Sequence, residues 1–123
     1  MTNRILRGLV LFLGIYLGTV MINPHMVSAE DVWVASEQGV DYYIVTETVA
    51  QLRYKSYARV EVKQVSNGDV GTNVVFFFLE DSKWWWYLMG SSRASIANED
   101  PTMMAILVAI WQQLYQEYPP YAN

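Results

Sequence analysis

The sequence predicts an α+β domain: a mostly antiparallel meander of four or five strands with one C-terminal helix packed on one face. Three observations carry this. Residues 74–89 read V-V-F-F-F-L-E-D-S-K-W-W-W-Y-L-M, two apolar, aromatic runs around the polar break 80–83, which is the pattern of a β-hairpin. Within residues 57–65, small apolar side chains (Ala58, Val60, Val62) alternate with charged ones (Arg59, Glu61, Lys63), and the stretch leads into Ser66-Asn67-Gly68-Asp69, whose Asn-Gly is a strong hairpin signal. After Asp100-Pro101, apolar residues recur at helical spacing until Pro119-Pro120 stops them.

The elements follow in order. Residues 31–35 (D-V-W-V-A) form a short strand, and Ser36-Glu37-Gln38-Gly39 a turn in which Gly39 is free to take positive φ. Residues 40–48 form a second strand, with Tyr42, Ile44 and Thr46 on one face and Tyr43, Val45 and Glu47 on the other. Residues 49–56 fit either a helical turn or an irregular run into the next strand. In 57–65, Ala58, Val60 and Val62 point inward while Arg59, Glu61 and Lys63 face water. Residues 90–98 read as a polar loop. The helix begins with Asp100 as N-cap and Pro101 at its first position and runs to about Tyr118. Met103, Ile106, Leu107, Ile110, Leu114 and Tyr118 share its apolar face, and Leu107, Ile110 and Leu114 are expected to dock on the 74–89 hairpin.

The domain is expected to occupy residues 30–123. Residues 1–29 have the three-part order of a secretory signal peptide: Asn3, Arg4 and Arg7, then an uncharged apolar run over 8–22, then Val27-Ser28-Ala29 before Glu30. The apolar run falls short of the roughly 20 residues that span a bilayer, so cleavage after Ala29 is expected rather than a retained anchor. The mature chain would then be secreted or periplasmic. With Arg4 and Arg7 removed from eight basic residues, six remain against twelve acids, a net charge of −6. An acidic chain without a basic stripe is a poor partner for nucleic acid or for an anionic membrane surface. There is no cysteine, hence no disulfide framework, and stability has to come from the core.

The stretch Asp31-Val32-Trp33-Val34, followed by Gly39-Val40-Asp41-Tyr42-Tyr43-Ile44-Val45-Thr46-Glu47-Thr48, resembles the start of small exported bacterial proteins with no assigned activity. The resemblance implies export; it brings no catalytic residue with it.

Catalytic chemistry finds little support. His25, the single histidine, lies in the leader, so no Ser/His/Asp or Cys/His arrangement exists in 30–123. Ser82 and Lys83 are adjacent turn residues, with nothing to bury the lysine as a base. Asn67, Asp69 and Asn73 are spaced faintly like a calcium loop, but Gly71 and Phe78 stand where further ligands belong. No metal or cofactor is expected. Glu80-Asp81 and Glu99-Asp100 are paired carboxylates, and a hydrolase built on them is the enzymatic alternative. A turn and a helix cap account for them more plainly.

The aromatic set stands out. Strand geometry sends Trp84 and Trp86 to one face of the sheet and Trp85 and Tyr87 to the other, and both faces are apolar. One helix covers one face. The expectation is therefore a non-enzymatic binding or interaction module that uses an aromatic face drawn from Trp84, Trp85, Trp86 and Tyr87, or a sheet edge, to meet a protein partner or its own copy. A glycan-binding platform of Trp and Tyr is the alternative.

Overall fold

The computed structural model describes residues 30–122; the predicted signal peptide lies outside them. Six strands, β1 (Asp31–Glu37), β2 (Val40–Arg53), β3 (Tyr57–Ser66), β4 (Asp69–Glu80), β5 (Lys83–Leu88) and β6 (Ser95–Ile96), form one antiparallel sheet in chain order. A 3-10 turn, Ala97–Glu99, leads into helix α1 (Pro101–Tyr115). Strand order equals sequence order because each connection is short. Three of them are two-residue turns with both φ positive: Gln38-Gly39, Asn67-Gly68 and Asp81-Ser82. That geometry matches the right-handed twist of the flanking strands.

The strand count is six, not four or five. The added strand, β6, lies in the segment read as a polar loop. Its two residues pair with Trp85 and Trp86, and two residues carry no periodicity to detect. β2 also outruns its expected end at Thr48. Its pairing with β3 jumps from Val45–Glu61 to Ala50–Arg59, so four residues of β2 oppose Val60 alone. Thr48 bridges this bulge: its hydroxyl donates to the Val45 carbonyl at 2.7 Å and accepts from the Glu61 N–H at 2.8 Å. A side chain thus replaces the ladder bonds that the bulge removes.

Asp100 caps α1 as expected, its Oδ1 accepting from the N–H groups of Thr102 at 3.1 Å and Met103 at 3.2 Å. The helix stops at Tyr115 rather than near Tyr118, with Gln116 left-handed at φ 54°. Pro119 is the cause. In a continued helix its ring would clash with the Tyr115 carbonyl and force Tyr118 out of helical geometry.

Met103, Ile106, Leu107, Ile110 and Trp111 of α1 are buried against one face of the sheet. That face presents Tyr42 and Ile44 from β2, Ala58, Val60 and Val62 from β3, Val75 and Phe77 from β4, and Trp84, Trp86 and Leu88 from β5. Thr102 Oγ1 donates to Glu37 Oε1 at 2.8 Å, and Tyr115 OH accepts from the Lys55 N–H at 3.0 Å. The helix therefore runs from the end of β1 to the β2–β3 turn. Its backbone lies nearest β1 and β2, not the 74–89 hairpin on which docking was expected. The hairpin reaches it through a long side chain: Trp84 meets Trp111 edge-on, centroids 5.0 Å apart.

Candidate functional site

The register decides which aromatic residues share a surface. Tyr57 pairs with Phe78, Phe78 with Trp85, and Trp85 with Ile96. One step along, Arg59 pairs with Phe76 and Phe76 with Tyr87. Antiparallel partners point to the same side of a sheet. Tyr57, Phe76, Phe78, Trp85 and Tyr87 therefore form one cluster on the face opposite α1, each half-buried.

Of the four candidate residues, two belong here and two do not. Trp85 and Tyr87 lie in the cluster. Trp84 and Trp86 are 0% and 2% exposed and belong to the core under the helix. Trp84 is fixed further: its Nε1 donates to the Pro120 carbonyl at 2.7 Å, and its backbone N–H donates to Asn98 Oδ1 at 2.6 Å. Asn98 Nδ2 in turn donates to the Tyr121 carbonyl at 2.8 Å, which holds the C-terminal tail against the start of β5. Neither indole contributes to the aromatic face. Tyr57 is the member that the sequence concealed, since it opens a strand whose outward positions otherwise read as charged. The two-residue repeat of a strand puts Phe76 and Phe78 on a common face from the sequence alone.

The rings of the cluster pack on one another. Phe76 and Tyr87 stack with centroids 4.8 Å apart and planes 5° from parallel. Phe78 and Trp85 stack at 6.3 Å and 13°. Tyr57 meets Phe78 edge-on at 6.2 Å. The hydroxyls of Tyr57 and Tyr87 are hydrogen-bonded to each other, Trp85 Nε1 donates to the Glu80 carbonyl at 3.3 Å, and the Arg53 guanidinium stands 5.8 Å from the centre of the Tyr57 ring. Toward β1 the same face mixes charged groups, Arg59, Glu61 and a Lys63–Asp31 ion pair of 2.8 Å, with Val45, Tyr43 and Trp33.

Burial, and secondarily the hydrogen bond that the neutral phenol makes to Tyr57, push the Tyr87 phenol up to about 12, because both disfavour the phenolate. The unfolded chain loses this proton near the ordinary value of 10, the folded chain near 12. The stabilisation is thus fully present below pH 10 and lost as pH rises to 12. Alkaline unfolding should steepen in that window, and Tyr87→Phe should flatten it when unfolding is followed against pH. A profile identical to that of the parent chain would show that Tyr87 does not titrate with folding. Tyr57→Phe should lower the Tyr87 value only in part, since burial is the larger cause.

The paired carboxylates are found in a turn and a cap. Glu80 and Asp81 are exposed at the β4–β5 turn, Asp100 caps α1, and Glu99 is exposed beside it. Asn67 sits in the β3–β4 turn while Asp69 and Asn73 lie on β4. Among the described residues no group of three or more His, Cys, Asp or Glu side chains is placed to hold a metal ion. A cleft of about 310 Å³ flanks the aromatic face, lined by Ser82, Lys83, Ile96, Asn98, Glu99 and Tyr121.

Fold and surface together define a two-layer α+β domain, a six-stranded antiparallel meander with a C-terminal helix on one face and an aromatic cluster on the other. No family model, no curated protein and no solved structure matches the chain.

Proposed function

We propose that this is an exported, non-enzymatic interaction module whose working surface is the Tyr57–Phe76–Phe78–Trp85–Tyr87 face. The observation that supports it most is the division of the hairpin: Trp84 and Trp86 fill the core, while Trp85 and Tyr87 add apolar surface to a face that α1 does not cover. Clustered aromatic surface marks association sites more often than it serves a lone monomer. A second copy of the chain is the first partner to test. The face carries both signs of charge, Arg59 and Glu61, beside the aromatic cluster, so two copies related by a two-fold axis can set acid against base. Export rests on the leader pattern and on the resemblance at residues 31–48.

Ring geometry favours this over the glycan alternative. A sugar platform presents the flat face of a ring to the ligand. Here Phe76 with Tyr87, and Phe78 with Trp85, turn their flat faces to each other. Each stacked ring keeps one face and its edges for a partner, a smaller flat area than an open sugar platform and one that suits side chains of another polypeptide.

Protein recovered after export should begin at Glu30, and its mass in sedimentation should rise with concentration. Trp85→Ser with Tyr87→Ser should leave the circular dichroism unchanged and abolish that rise. A monomer at all concentrations that nonetheless binds purified cell-wall glycan would replace the first reading by the second. Secreted material still starting at Met1 would remove the case for cleavage.

A further inference from the structure

A second concavity, of about 400 Å³, lies beside β5 and takes in residues of its helix-facing side. Trp86 and Leu88 form its apolar wall, and the segment entering β6 closes it with Ser91, Arg93, Ala94 and Ser95. The volume falls within the roughly 300–1,000 Å³ of small-molecule sites. It is independent of the aromatic face, since Trp86 and Leu88 point to the other side of the sheet.

The chemistry of its lining is one-sided. Arg93 supplies a guanidinium, Ser91 and Ser95 supply hydroxyls, and none of these lining residues carries a carboxylate. Arg93 makes no ion pair among the described residues, although acids outnumber bases two to one in 30–123. Its backbone is held in place: the Arg93 N–H donates to Ser91 Oγ at 3.1 Å, and Ser91 Oγ donates to the Arg93 carbonyl at 3.3 Å. Within the wall, Trp86 Nε1 is buried with no acceptor among the described residues. A cation carried on a backbone held by two hydrogen bonds, beside an indole and a leucine, is half of a recognition site for an amphipathic anion. A guanidinium receives a carboxylate through two parallel hydrogen bonds, and preorganisation of its backbone lowers the cost of binding.

We infer that this concavity binds a small organic anion, a carboxylate carried on an aromatic or aliphatic body. The carboxylate meets Arg93, and the body lies against Trp86 and Leu88. The hydroxyl of Ser95 stands on the polar side, where it can donate to the carboxylate, while the Ser91 hydroxyl holds the Arg93 backbone.

The test is a titration of the full chain with phenylacetate, octanoate, phenylacetamide and inorganic phosphate, followed by the indole N–H resonances of the five tryptophans. Phenylacetate or octanoate should shift the Trp86 resonance saturably. Phenylacetamide, which keeps the body and lacks the charge, should bind about tenfold more weakly or worse, and Arg93→Gln should lose the acids by a similar factor. Arg93→Lys, which keeps the charge without the fork, should recover part of the loss. Arg93 is exposed, so these variants should keep the parent spectrum elsewhere. Equal binding of acid and amide would overturn the inference. So would unchanged binding by Arg93→Gln, phosphate binding as tightly as phenylacetate, or no saturable shift with either acid.

Discussion

Replacing Trp84 and Trp86 together by serine should leave no folded domain. Both indoles are buried, and Trp84 also fixes the C-terminal tail and supports Trp111. Removing one buried tryptophan costs about 3–5 kcal/mol through lost transfer energy and the cavity left behind. Two such losses side by side reach the roughly 5–15 kcal/mol that holds a whole domain together. The two sites are neighbours on one strand face, so their effects need not simply add. Near-ultraviolet circular dichroism and a denaturant titration read the result directly. The control is the same change at Trp85 and Tyr87, one position over in the same strand. That variant should fold. Equal unfolding by the two variants would mean that both faces are core within one chain, and the proposed interaction surface would lose its basis.

Ile110→Ala should cost about 2–5 kcal/mol, the range for a fully buried aliphatic side chain cut back to a methyl group. Ile110 is 0% exposed in the middle of the helix–sheet contact, between Leu107 and Trp111. For a domain of this size each kcal/mol lowers Tm by about 4–8 °C, so the melt should fall by about 8 °C or more. Gln113→Ala, on the exposed side of the same helix, should stay within about half a kcal/mol. If Ile110→Ala behaved like Gln113→Ala, α1 would not be docked as described.

Local chemistry made much of this fold legible in the sequence. The start of α1 was legible because Asp100 and Pro101 act on the first helical turn and need no distant partner. The Asn67-Gly68 turn and the alternation of β3 were legible for the same reason. The opposition of Trp84 and Trp86 to Trp85 and Tyr87 followed from the two-residue repeat of a strand.

The repeat says that neighbours part company; it does not say which pair meets the helix. That depended on where α1 returns, and α1 crosses from β1 to the β2–β3 turn over the side that carries Trp84 and Trp86. β6 and the far end of β2 were hidden because they exist through their partners: two residues paired to Trp85 and Trp86, and a bulge closed by the Thr48 hydroxyl. The aromatic cluster gathers Tyr57, Phe76 and Phe78 with Trp85 and Tyr87 from three strands. Periodicity within a strand assigns each residue a side, but only the pairing of strands sets which residues on that side stand next to one another.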